Sequence, residues 1–266
     1  MTRSAATAIA DAHAQGRAAL VIYLPVGYPD VDTSIAAARA AVEAGADIIE
    51  LGLPYSDPGM DGPVVAAAAQ VALDGGVRTS DVLRAVGAVA ESGAAVLVMT
   101  YYNPVLRYGI ERFATDLAAA GGAGLITPDL IPDEAAEWSE AADAHGLDKV
   151  FLVAPSSTDD RLALTAAASR GFVYAAATMG VTGVRGSVDV AAERLVARTR
   201  AAGAEHVCVG IGISTGAQAR EVAGYADGVI VGSAAVRALG EDGRDIAALQ
   251  SLVSELADGV RHGVPA

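Results

Sequence analysis

Three carboxylates within a short stretch, Glu50, Asp57 and Asp61, carry the strongest chemical signal in the chain. Glu50 interrupts an apolar run, Ile48-Ile49-Glu50-Leu51, bounded by Gly45 and Pro54, and such a run reads as a buried strand. A carboxyl group buried there without a cation takes a raised pKa, because desolvation disfavours its charged form, or else costs several kcal/mol. Lys149 is the single lysine and most arginines fall in helix-like segments, so no ionic partner for Glu50 is evident. The competing reading is a glutamate that only hydrogen-bonds to backbone at a strand end. Asp57 and Asp61 follow in a stretch punctuated by Pro54, Pro58, Gly59, Gly62 and Pro63, which makes it a shaped loop. Acids in this setting are candidates for proton transfer.

A second constellation lies further along. Met179-Gly180-Val181-Thr182-Gly183, Gly210-Ile211-Gly212-Ile213-Ser214 and Val231-Gly232-Ser233-Ala234 are glycine corners after apolar runs. Glycine lets backbone N–H groups approach an anion, and Ser233 reads as the N-cap of a short helix. A single such corner serves sterics as readily as binding; three in succession suit a phosphate. No P-loop lysine and no G-x-G-x-x-G after the first strand are present, which disfavours a nucleoside triphosphate or a dinucleotide. Tyr23, Tyr101, Tyr102, Leu125 and Tyr174, on strands or their ends, are candidates for an apolar slot that takes a flat ring. Asp129 orients a loop or serves the turn before Pro132.

The elements that must position these residues repeat one junction: an Ala-rich helical run, a small residue or glycine, then a β-rich strand. It occurs after Gly16, Gly45, Gly93, Gly122, Gly146, Gly171, Gly203 and Gly224. Helical spacing fills the intervals, as at 35–42, 82–89, 110–117 and 188–196. Eight strands alternating with helices, most units at 24 to 32 residues, predict an α/β fold: a single-domain (β/α)8 TIM barrel over 1–266. One unit is oversized. Gly45 and Gly93 lie 48 residues apart, and the surplus is the loop after strand 2 plus an extra helical run at 64–73. Loops after strand C-termini build the active face of this architecture, so catalysis is sought there first.

Composition narrows the partners. A net charge of −14 argues against nucleic acid or an anionic membrane, while leaving backbone amides free to hold a small phosphorylated substrate. Cys208 is the only cysteine, and His13, His145, His206 and His262 are scattered, so no metal site is expected. Neither a signal-peptide core nor a span-length apolar stretch is present, and the expected location is cytoplasmic.

Over nearly its whole length the chain resembles the α subunit of tryptophan synthase. The resemblance is carried by Glu50-Leu51-Gly52-Leu53-Pro54-Tyr55-Ser56-Asp57-Pro58, Asp61-Gly62-Pro63, Tyr174, Gly180-Val181-Thr182-Gly183, Gly210-Ile211-Gly212-Ile213-Ser214 and Gly232-Ser233. The first of these is highly specific; the glycine corners recur in other phosphate-binding barrels. The resemblance implies retro-aldol cleavage of indole-3-glycerol phosphate to indole and glyceraldehyde 3-phosphate. It also implies an αββα assembly, with indole passed to a β subunit that alone carries pyridoxal phosphate; this chain needs no cofactor.

On the same basis Glu50 is the acid/base serving ring carbon C3, and Asp61 the carboxylate that accepts the indole N–H. Tyr174 is a pocket residue that positions Glu50 or the substrate. Tyr101 joins it in the pocket, and Thr182, Gly183, Gly212, Gly232 and Ser233 bind substrate, chiefly its phosphate. Asp57 faces the β subunit, and loops 54–63 and 178–190 are lids. The chain departs from the family pattern at Gly59, where a larger apolar residue is common, at Ala177, where serine is, and at Phe172, where tyrosine is. Three other readings stay open at this point: a regulatory binding subunit, a lyase that releases free indole, and another phosphate-handling barrel such as an isomerase of a phosphoribosyl intermediate.

Overall fold

In the computed structural model, which describes residues 2–176, 190–210 and 212–261, each of the eight glycine junctions leads into parallel strand. The strands are β1 (Ala19–Pro25), β2 (Ile48–Gly52), β3 (Ala95–Met99), β4 (Gly124–Ile126), β5 (Asp148–Val150), β6 (Leu152–Val153), β7 (Val173–Ala176), β8 (Val207–Gly210) and β9 (Gly228–Val231). Their order is β5-β4-β3-β2-β1-β9-β8-β7-β6. Only Phe151 separates β5 from β6, and its carbonyl accepts the Tyr174 N–H at 3.0 Å. At β5 the outer edge is occupied by Arg170, which exchanges backbone hydrogen bonds with Lys149 at 3.0 and 2.9 Å. Pairing with β7 therefore begins only at Leu152. Segment 148–153 is one crossing of the wall, and nine named strands make the eight crossings of a nearly closed (β/α)8 barrel.

Alternation along each strand sorts side chains between two cores. Leu20, Ile22, Ile49, Leu51, Val96, Val98 and Leu125 face the surrounding helices. Val21, Ile48, Ala95, Leu97, Ile126, Val150, Cys208 and Ile230 fill the lumen. The helix Ala5–Ala14 closes the lumen floor by packing Ala5, Ala8, Ile9 and Ala12 against those residues. Ser4 caps it by accepting the Thr7 N–H, and the Ala5 N–H donates to Asp148 Oδ2 at 2.8 Å.

The extra helix of the oversized unit is Pro63–Asp74, with proline in its first turn, where a missing N–H costs nothing. The other anticipated helices are Val31–Glu43, Thr79–Ala90, Ile110–Ala119 and Val190–Ala201. Among the described residues no helix is long and apolar enough to cross a membrane.

Candidate active site

Glu50 stands at the centre of β2, paired across the register with Tyr23 of β1 and Leu97 of β3. Parity sends Ile49 and Leu51 to the helices and Glu50 into the lumen. Its exposure is 0%, and among the described residues neither carboxyl oxygen has a hydrogen-bond partner. Burial alone pushes its pKa from 4.5 to about 8. The group is a protonated acid at neutral pH.

The other buried acids of the wall make the contrast. Asp47, just before β2, takes both guanidinium N–H groups of Arg17 at 2.6 and 2.8 Å and the Leu20 N–H at 2.9 Å. Asp227, just before β9, accepts the Val207 N–H at 2.8 Å and pairs with Arg200 at 2.9 Å. Asp148, at the start of β5, accepts the Ala5 N–H. These three lie at strand N-termini and knit the closed end of the barrel. Glu50 points toward the other end with nothing among the described residues to neutralise it, an arrangement that stability alone does not favour.

Above Glu50 opens a cavity of about 220 Å³, lined on one side by Tyr55, Met60, Asp61 and Tyr101, and on the other by Gly210, Gly212, Gly232 and Ser233. Asp61 lies in the loop after β2, and Tyr101 from the end of β3 holds it: the phenol donates to Asp61 Oδ1 at 3.0 Å and accepts the Met60 N–H at 2.8 Å. Burial raises the Asp61 pKa, and the Tyr101 hydrogen bond opposes that rise by favouring the carboxylate. The Tyr101 phenol is itself pushed up to about 12, first by burial. Tyr55 stacks on Tyr101 with ring centroids 5.2 Å apart and accepts from Asn103 Nδ2 at 3.4 Å.

Tyr23 and Tyr174 form the inner walls of the cavity, and glycines make room for them. A Cβ at Gly52 would overlap the Tyr23 hydroxyl, and one at Gly210 would overlap that of Tyr174. Both phenols are buried and driven above their usual pKa, mainly by desolvation, with the charge of Glu50 contributing to each. They are neutral hydroxyls around the acid. Gly212 has φ +73°, a backbone that L side chains rarely adopt.

The cavity therefore unites Glu50, Asp61, Tyr101, Tyr174, Gly212, Gly232 and Ser233. Thr182, Gly183, Ala177 and lid positions 178–189 lie outside the described residues. Asp57 is exposed on the loop, accepting the Ser56 hydroxyl at 2.6 Å.

Three expectations need correction. Leu125 faces the helices, one position out of phase with lumen-facing Ile126. Tyr102 opens the helix Tyr102–Tyr108 and packs on the outer core, so neither residue lines the slot. Ser233 is the first residue of the helix Ser233–Ala238, and the cap is Gly232. Asp129 accepts the Tyr102 N–H at 2.9 Å, which sets the start of the helix after β3. Residues of the slot not anticipated include Tyr55, Met99, Leu152 and Ile230; strand parity counted from Glu50 and Tyr174 would have found the last three.

Comparison with known proteins converges on one family. A family model described as tryptophan synthase alpha chain matches residues 9–262. The tryptophan synthase alpha chain of Mycobacterium avium is 62% identical over 246 residues, covering 92% of this chain and 90% of that one. Its counterpart in Mycobacterium tuberculosis is 60% identical over 253 residues, covering 95% and 93%. A solved structure of Mycobacterium tuberculosis tryptophan synthase superposes with TM-score 0.92 at 57% identity, covering 98% of this chain and 99% of that one. An alpha-subunit structure from Pyrococcus furiosus gives 0.84 at 33%, covering 90% and 98%.

Proposed function

The chain belongs to the tryptophan synthase alpha chain family, and from that membership we propose how the cavity at its barrel mouth carries out the family's reaction. The reaction is retro-aldol cleavage of indole-3-glycerol phosphate to indole and D-glyceraldehyde 3-phosphate, a step of tryptophan biosynthesis. The α chain needs no cofactor of its own; pyridoxal phosphate belongs to the β subunit that receives the indole. In this reading the two subunits form an αββα assembly in the cytoplasm.

Glu50 is assigned the proton that breaks the carbon–carbon bond. Protonation of ring carbon C3 turns the indole into a cation and makes it a leaving group. The C3–C3′ electron pair goes to the ring as the C3′ hydroxyl loses its proton and becomes the aldehyde. Glu50, now a carboxylate, takes that proton and is restored. Asp61 accepts the ring N–H and offsets the positive charge while it lasts. Its two assets are the fixed loop position and the Tyr101 hydrogen bond that favours its anion. The phosphate is assigned to backbone N–H groups at Gly212, Gly232 and Ser233, with Thr182 and Gly183 completing the set by resemblance. Asp57, exposed on the same loop as Asp61, is assigned to the β-subunit contact.

The observation that carries the proposal is the fully buried carboxyl of Glu50 at the base of the cavity, without a hydrogen-bond partner among the described residues. Glu50→Gln keeps the shape and removes the transferable proton. We expect turnover in the complex with the β subunit to fall by at least about 10²-fold, with the circular dichroism spectrum unchanged. Near wild-type indole release by this variant would reject the assignment.

A further inference from the structure

Tyr23 is the inner wall of the cavity to which neither the family resemblance nor the reaction above gives a task. Its place is fixed by backbone. The β1–β2 register sets it beside Glu50, on the same lumen face. The root of its ring lies against Gly232, where a Cβ would meet Tyr23 Cβ and Cδ1 at 3.6 Å each. The hydroxyl at the other end overhangs Gly52, the next lumen position beyond Glu50, roughly 7 Å further along β2. The ring thus runs from the proposed phosphate corner to the acids, and its hydroxyl stops on the mouthward side of the glutamate.

Once Glu50 has released its proton it is an anion in a dry lumen, and an anion there needs a donor. Among the described residues the groups facing it are few. From β1 comes Tyr23, from β7 Tyr174, and from β8 the thiol of Cys208, while β3 presents only Leu97 and Met99. Further out stand Asp61, which is an acceptor, and Tyr101, whose hydroxyl already donates to Asp61. No lysine, arginine or histidine lines the described cavity. Tyr23 stays protonated, because burial and the neighbouring acids raise its pKa, so it acts as a donor throughout.

We propose that Tyr23 is a positioning residue for Glu50, its hydroxyl donating a hydrogen bond to the carboxylate in the interval between giving the proton to C3 and recovering one from the C3′ hydroxyl. The phenol keeps its own proton, so the balance of the reaction is unchanged. The inference rests on the role assigned to Glu50.

The test is Tyr23→Phe, assayed for indole-3-glycerol phosphate cleavage in the complex with the β subunit across the pH range. Loss of a hydrogen bond to a charged group predicts kcat lowered roughly tenfold with KM little changed. Without that donor the carboxylate is less favoured, so the pKa of Glu50 rises and the alkaline limb of kcat moves up by about one pH unit. An unchanged profile would overturn the proposal, as would a lowered kcat with the limb in place, which would put the hydroxyl on the substrate. The limb position is independent of how much enzyme is folded, so it decides even if the variant is less stable. Glu50→Gln run alongside separates the failures: if that variant is inactive while Tyr23→Phe behaves as wild type, only the role of Tyr23 falls.

Discussion

A carboxylic acid kept neutral by burial is costly once the solution is alkaline, and Glu50 makes that cost measurable. Its folded pKa is about 8, above the 4.5 of an exposed glutamate. Below pH 4.5 both states hold the proton and the group costs nothing. As pH rises toward 8 the unfolded chain ionises while the folded one does not, so stability falls, and the loss is complete above about 8. A raised pKa always has this sign, and the span corresponds to an upper bound on the order of 4 to 5 kcal/mol. Glu50→Gln should therefore melt at a higher temperature than wild type at pH 8 while being inactive, with the gap closing in acid; pH-dependent melting curves check it. Asp61 calls for a different test. Tyr101→Phe removes both the donor to Asp61 and the acceptor of the Met60 N–H. We expect cleavage to drop roughly tenfold or more, with fluorescence anisotropy of a label on the loop showing greater motion; an unaffected rate would remove Tyr101 from the machinery.

Strands and their connecting loops explain why these groups meet. Each strand is short and its lumen-facing positions alternate, so a glycine at the next lumen position clears space for the neighbouring aromatic ring. Gly52→Ala tests that relation: the added methyl collides with the Tyr23 hydroxyl. Cleavage should fall at least tenfold, since misplacing a wall of the site by about 1 Å can cost on the order of 10², and steady-state kinetics would show it. The element scale is also where the sequence was most and least legible. Glycine followed by a β-rich run marked all eight wall crossings, because a helix stop and a buried strand each leave a local signature. The division of 148–153 left no such mark, since it follows from Arg170 occupying one edge of β5. Tyr102 and Leu125 lie away from the slot for a related reason: composition marks a residue as apolar, while the phase of the strand or the start of a helix decides which way it faces. The latch from Tyr101 to Met60 and Asp61 depends on the path of an aperiodic loop, for which sequence spacing offers no rule. Glu50 was legible because a lone acid in an apolar strand violates the local pattern, and such violations concentrate at functional sites.

The whole molecule separates stability from chemistry along the barrel axis. At the closed end, Asp47, Asp148 and Asp227 are each tied to backbone N–H groups, with Arg17 and Arg200 beside two of them, and the helix Ala5–Ala14 seals the floor. At the open end Glu50 stands without a hydrogen-bond partner among the described residues, below a cavity walled by phenols. Ile9, fully buried in the floor, tests the division. Ile9→Ala should destabilise the protein by about 2 to 5 kcal/mol through lost burial and a cavity, seen as a lower denaturation midpoint, while kcat well below that midpoint stays near wild type. A comparable loss of kcat would mean the floor and the site are coupled.

The proton that Glu50 carries at neutral pH can be read directly by infrared difference spectroscopy of wild type against Glu50→Gln, in the C=O stretch of the acid. We expect a carboxylic acid band present at pH 7, absent in the variant, and titrating away near pH 8. A carboxylate signal at pH 7, with the acid band lost near the ordinary 4.5, would show that Glu50 holds no proton to give to the ring.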